Sequence, residues 1–234
     1  MNDLLLKLYT SKWDELCTAM QPILDDVTLE QKPTCPLLLS IDNEAEFKSA
    51  EIRVMVYGQE TNSWYDEFHQ NKEPIIDCYN NFFNGGECWG YSGQFWNGIS
   101  RFINLLQAKH PDKKIKLVWN NIVKIGKFDD KGFPPDYIYE IERKHFSVIK
   151  EELEIINPNL VLFLTGPNYD SVIEDNFGLL EKEALSEFSE RQISKIKIDG
   201  IDFAFRTYHP NYLWRNNIDS YFNRIIDEIS FTNK

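Results

Sequence analysis

The residues best suited to chemistry stand at four places, each directly after a short apolar run. Gly58-Gln59-Glu60-Thr61-Asn62 follows the first run and Asn120-Asn121 ends the second. Gly166-Pro167-Asn168 follows the third, and His209-Pro210-Asn211 the fourth. The set holds an imidazole, a carboxylate and several carboxamides. Imidazole and carboxylate move or hold protons, and a carboxamide offers a donor and an acceptor side by side. Such groups bind a polar ligand and act on it or on a water molecule.

The elements that position them are legible in the pattern around them. Arg53–Gly58, Ile115–Asn120, Asn159–Thr165 and Phe203–Tyr208 are β-rich and almost unbroken by charge, as in strands covered on both faces. Phe95–Ala108 and Tyr137–Ile156 carry apolar residues at helical spacing. Strand alternating with helix implies a parallel sheet between helices. The chain therefore reads as an α/β protein, a three-layer α/β/α sandwich with a four-stranded parallel core sheet. In such sheets ligands bind beyond the carboxyl ends of the strands, which is where the four polar exits lie. Ile193–Ile198 and Ile201–Phe205 flank Asp199-Gly200, a hairpin signal that extends one edge. Residues 77–93 are rich in Gly, Asn and aromatics without a period, and read as a long functional loop. The reading is one domain over residues 1–234, with an N-terminal helical arm (about 1–48) packed on a core (49–234).

Bulk properties narrow the function. Hydrophobic residues make up 42% and aromatics 14%, enough for a sizeable core. No apolar stretch approaches a bilayer span, so no membrane is expected. The first residues read as an amphipathic helix and not as a signal peptide. Cys17, Cys35, Cys78 and Cys88 form no C-x-x-C pair and read as free thiols of a cytoplasmic protein. The net charge of −12 argues against phosphate-dominated binding, although a cleft can differ from the average. The densest basic run is Lys113, Lys114, Lys116, Lys124, Lys127 and Lys131, with Lys124 to Lys131 at the expected mouth. Arg206 and Arg215 flank the histidine.

Five segments, in order over roughly residues 53 to 215, resemble motifs of the uracil-DNA glycosylase superfamily, mostly of its bacterial and archaeal branch. Thr207-Tyr208-His209-Pro210-Asn211-Tyr212-Leu213-Trp214-Arg215 resembles T-Y-H-P-S-x-L-x-R, and Asn121-Ile122-Val123-Lys124 resembles N-V-V-K. Gly58-Gln59-Glu60 is similar to a G-Q-D opening, and Gly90-Tyr91-Ser92-Gly93-Gln94 to G-R-S-G-x. Pro158-Asn159-Leu160-Val161 through Gly166 is similar to a P-x-x-I-x-x-L-G strand.

The resemblance implies roles. His209 would face the base carbonyl and stabilise the anion that leaves. Asn121 would read the base, with Asn120 as the alternative because neighbouring strand residues face opposite ways. Glu60 stands where the family places a water-positioning Asp or Asn; it is one methylene longer than Asp, and Asn62 is the fallback. Trp89 is the candidate aromatic wall, with Phe83 and Tyr91 as substitutes, although the family aromatic lies one position earlier, at Cys88. Leu213 matches an apolar wedge that fills the gap left by a flipped nucleotide. Gln59 would present its backbone N–H to the base or its side chain to a phosphate, and Gly58 and Asn211 complete the substrate contacts. The iron–sulfur branch of the family has a C-x-x-C ahead of the first motif, where this chain has only Cys35. The reading therefore includes no cluster, metal or other cofactor. The implied partner is DNA, single-stranded or damaged duplex, bound by a monomer. Two alternatives stay open: a binding module of the same fold with little catalysis, and a hydrolase of free nucleosides.

Overall fold

The computed structural model describes residues 1–230. Fifteen helices and strands follow one another: α1 (Asn2–Asp25), α2 (Glu44–Ser49), β1 (Ile52–Asn62), α3 (Glu73–Tyr79), α4 (Gln94–Lys109), β2 (Ile115–Lys127), α5 (Asp136–His145), α6 (Ile149–Ile156), β3 (Leu160–Phe163), α7 (Asp170–Phe177), β4 (Lys182–Ala184), β5 (Ile193–Ile196), β6 (Phe203–Thr207), α8 (Pro210–Arg215) and α9 (Ile218–Asp227). The protein is mixed α/β, with a six-stranded sheet in the order β2-β1-β3-β6-β5-β4. β1, β3 and β6 run parallel, with Val54 beside Leu160 and Leu160 beside Phe203. All four residues of β3 are buried, the unalternating pattern of a strand covered on both faces.

The sheet is wider than the four strands read from sequence. β5 pairs antiparallel with β6, Ile193 opposite Thr207, as the hairpin signal implies. The turn is longer than two residues, and Gly200 takes φ +80° within it. β4 adds a short sixth strand, Lys-Glu-Ala. Its edge is brief, charged and largely exposed, so it carries no apolar signature to read.

Three other expectations change. β1 and β2 continue through the residues read as exits, to Asn62 and Lys127. Gly126 makes this possible, because a Cβ there would meet the Thr61 carbonyl oxygen at 1.8 Å. The Thr34 hydroxyl also accepts the Gly126 N–H at 2.9 Å. The single helix expected over 137–156 is two, α5 and α6. Between them Phe146 and Val148 are buried while Ser147 is exposed, a two-residue alternation that one helix cannot present inward. Residues 77–93 are not a plain loop. The end of α3 runs into a π-helical turn (Asn80–Asn84), and a 3₁₀ turn (Glu87–Gly90) follows Gly86 at φ +83°.

Contacts group the chain into two compact units. Unit 1 comprises Met1–Glu44, Gln59–Gly85 and Asn120–Ile156; unit 2 comprises Ala45–Gly58, Gly86–Trp119 and the chain from Asn157 on. In unit 1, α1 buries Leu5, Tyr9, Trp13, Leu16, Met20 and Ile23 along one stripe, the amphipathic period visible in its sequence. In unit 2, α4 packs on α8 and α9. Gly98 lets α4 approach the start of α8, since a Cβ there would stand 2.6 Å from the Pro210 Cβ. Phe102 meets Phe222 edge-on at 5.2 Å.

Candidate functional site

In unit 2 the histidine motif forms a strand-to-helix junction. β6 ends at Thr207, and His209 is the N-cap of α8. Pro210, with no N–H to satisfy, takes the first helical position. The His209 Nδ1 accepts the backbone N–H of Asn211 at 3.2 Å. The imidazole is half-buried and stacks on Phe95, with centroids 5.5 Å apart and planes 15° from parallel. Burial pulls its pKa down to about 4, so the ring is neutral at pH 7. A neutral ring whose Nδ1 accepts must carry its proton on Nε2. His209 is therefore held as a neutral Nε2–H donor, its tautomer assigned from this hydrogen bond.

Trp89, on the 3₁₀ turn, is 47% exposed and meets Trp96 edge-on at 5.8 Å. Of its substitutes, Tyr91 is exposed and Phe83 is buried in unit 1 against Tyr79. Cys88 is buried, and desolvation raises its thiol to about 11. Leu213 departs from its expected role: it is fully buried on the inner face of α8, and the large exposed side chains of that helix are Tyr212 and Trp214. An apolar wedge at Leu213 would require the helix to turn. Asn211 is exposed, and Arg215 donates from Nε to its carbonyl at 3.1 Å. Arg206 does not flank the site as a surface cation. It is buried, paired with Asp170 at 2.9 Å and bonded to Ser194 Oγ and the Arg191 carbonyl. Gly58 is a buried residue of β1.

Unit 1 holds the other expected residues. Gln59 and Glu60 are half-buried and Asn62 is exposed. Two-residue periodicity puts Glu60 and Asn62 on one face of β1 and Gln59 and Thr61 on the other. The Asn62 carboxamide oxygen accepts the Gly132 N–H at 3.4 Å. Beyond it Ser63 and Tyr65 take left-handed φ of 48° and 62°, conformations that non-glycine residues adopt only when their surroundings enforce them.

The two asparagines separate clearly. Asn120 belongs to the interior: its Oδ1 accepts from Lys124 Nζ at 2.7 Å and from the Asn121 N–H at 2.8 Å, and its Nδ2 donates to Glu152 at 2.8 Å. Asn121 is buried too but lies on the opposite strand face. Lys124, expected at the mouth, is 0% exposed and pairs with Glu152 at 2.8 Å. Burial lowers its pKa against the opposing pull of that carboxylate. The Tyr9 hydroxyl donates to Glu152 at 2.7 Å and accepts the Leu39 N–H at 2.9 Å. Glu142 accepts the backbone N–H groups of Lys124 and Ile125, both at 2.8 Å, and burial pushes its pKa up to about 7. Of the remaining lysines in that run, Lys127 pairs with Asp130 at 2.9 Å, and Lys114 and Lys116 pair with Glu46.

Sequence reasoning missed this network, although Glu142 and Glu152 fall on the apolar stripe of their helices and Lys124 stands in an apolar strand. It also missed Phe95 as the plate beneath His209. A groove of about 780 Å³ along α1, lined in part by Trp13, Cys17 and Gln70, contains none of the expected site residues. No group of three or more His, Cys, Asp or Glu side chains among the described residues is arranged to hold a metal. Nor is any described helix long and apolar enough to cross a membrane. No protein-family model and no curated protein matches the chain, so its functional reading rests on the residues and geometry above.

Proposed function

We propose that the protein hydrolyses the N-glycosidic bond between uracil, or a related damaged base, and deoxyribose in DNA. It would act as a cytoplasmic monomer with a uracil-DNA glycosylase-like sandwich. The observation that carries this reading is the His209 donor: a neutral Nε2–H, fixed by Asn211 and Phe95 at the end of a parallel strand. Breaking the C1′–N bond leaves the electron pair on the base and positive charge on the sugar. An oriented N–H at the base carbonyl stabilises that anion without a proton having to move, an effect of about 3–4 kcal/mol for one such donor.

By the resemblance, Glu60 would orient the water whose oxygen bonds to C1′ and take its proton. The Asn121 carboxamide would accept from the N3–H of uracil and donate to O4, a pattern that cytosine reverses. Asn120 is unavailable for that role because its carboxamide already bonds Lys124 and Glu152.

One observation favours a second reading, a hydrolase of free nucleosides: of the three lysines expected at a DNA-binding mouth, Lys124 is buried and Lys127 is paired with Asp130, which leaves Lys131 as the exposed one. End-labelled single- and double-stranded oligonucleotides carrying one uracil, hypoxanthine or xanthine separate the two, followed by hot alkali to cut abasic sites. Cleavage at the modified position, lost in His209→Ala, supports the glycosylase. Release of base from mononucleosides alone supports the second reading. A folded protein inactive on all of them contradicts both.

A further inference from the structure

The chain carries 37 acidic side chains, yet none falls between residues 88 and 100 or between 203 and 218. These two acid-free stretches meet within unit 2. The Trp214 indole N–H donates to the Gln94 carbonyl at 3.2 Å, His209 lies on Phe95, and Pro210 fills the space beside Gly98. Trp89, Tyr91, Tyr212 and Trp214 project from them, 47, 65, 39 and 40% exposed. Tyr212 is backed by the Tyr208 ring at 4.2 Å and Trp89 by Trp96, so these faces are held in place. The exposed amides of Gln94, Asn97 and Asn211 lie on the same stretches, and Arg215 is the exposed cation.

We propose that this aromatic surface binds single-stranded DNA by stacking on unpaired bases that flank the nucleotide to be cleaved. The identity of the polymer rests on the glycosylase reading; the stacking mode rests on the surface itself. Every nucleobase has a face that stacks on Trp or Tyr, and amides at the rim meet base edges. The absence of acids across both stretches lessens the repulsion that a chain of net charge −12 would otherwise direct at phosphates. Glu87 borders the first stretch, and Asp219, which borders the second, is paired with Arg101. Duplex DNA fits poorly, because it hides its base faces and is held chiefly through phosphates. Several cations of unit 2 that could meet those phosphates are occupied: Arg101 by Asp219 at 2.6 Å, Lys109 by Asp227 at 2.8 Å and Lys182 by Asp170 at 3.1 Å.

The test is fluorescence anisotropy with three labelled probes: an unmodified single strand, the same strand with abasic sites throughout, and its duplex. Each is titrated with the full chain at low and moderate salt. The single strand should bind at least about tenfold tighter than the other two, with a salt slope equivalent to no more than about two phosphates. Tyr91→Ala and Trp214→Ala should each weaken it roughly 5- to 100-fold, whereas Trp214→Phe keeps most of the affinity. Circular dichroism checks the fold of each variant, and Tyr91, 65% exposed, provides a variant outside the buried core.

Equal binding of the abasic strand or duplex, or full affinity in both alanine variants, overturns the proposal. So does a self-association in light scattering that Trp214→Ala abolishes, which would make the surface a contact between copies of this chain. His209→Ala separates the two claims, since it should keep single-strand affinity while losing cleavage. Base-dependent binding without cleavage by the wild type sinks the glycosylase reading alone. Cleavage without base-dependent binding sinks the stacking surface alone.

Discussion

Both units bury ionisable groups, and they use them in opposite ways. In unit 1, Lys124, Glu152, Tyr9 and Asn120 satisfy one another, while Glu142 is occupied by two backbone N–H groups. In unit 2, His209 has one ring nitrogen occupied and the other left as a donor beside exposed aromatics. Perturbed protonation occurs in both, so perturbation alone does not mark chemistry. The difference lies in whether the group is consumed. A closed network fixes a fold, whereas a donor that is oriented and still has a hydrogen to give can act on something else.

The contrast is sharpest for substitutions. Lys124→Ala leaves the Glu152 carboxylate buried without its cation, which should cost about 3–5 kcal/mol of stability. Denaturant titration reads this, and Lys124→Met combined with Glu152→Gln, whose carbonyl oxygen can still accept from Tyr9, should recover part of the loss. No recovery in that double variant would mean that the uncompensated charge is not what destabilises Lys124→Ala. His209→Ala should behave in the reverse manner. Turnover falls about 10²- to 10³-fold, while stability changes by no more than the roughly 1 kcal/mol of a lost helix cap. Gly98→Ala should affect both, because its methyl group displaces Pro210 and with it His209. Overpacking of this kind costs about 1–3 kcal/mol, and turnover should fall in the same variant.

The smallest effects are in pH dependence, and the units oppose each other there. Glu142 has its pKa raised from 4.5 to about 7, so the folded state keeps a proton that the unfolded chain has lost. Stability from this group falls as pH rises through that window. His209 has its pKa lowered from 6.5 to about 4, so the unfolded state binds the extra proton, and stability from this group rises with pH from about 4 to 6.5. Between pH 4.5 and 6.5 the slopes oppose. Glu142→Gln should leave the rising slope and His209→Ala the falling one, measured as denaturation midpoints against pH.

Much of the sheet was legible, and for a clear reason. The four strands are runs of buried apolar residues, and α4 shows its stripe through Ile99, Phe102 and Leu106. Strand ends were not, because β1 and β2 continue through Gly58–Asn62 and Asn120-Asn121, polar and small residues that read as exits. The break at Phe146 was hidden by a helical pattern that spans both pieces. His209 stood out through its motif, but its tautomer depends on a backbone N–H and a ring from α4, which no sequence pattern specifies. The lysines misled for a related reason: burial and pairing decide whether a charge reaches a surface, and composition records only that it exists.

The central claim is that His209 is a neutral Nε2–H donor at physiological pH. Nitrogen-15 NMR of the imidazoles tests it directly, with the resonance among the four histidines assigned by its loss in His209→Ala. The account predicts a bare, accepting Nδ1 and a protonated Nε2 at pH 7, with titration only near pH 4. A ring protonated on both nitrogens at pH 7, or one carrying its proton on Nδ1, would contradict it.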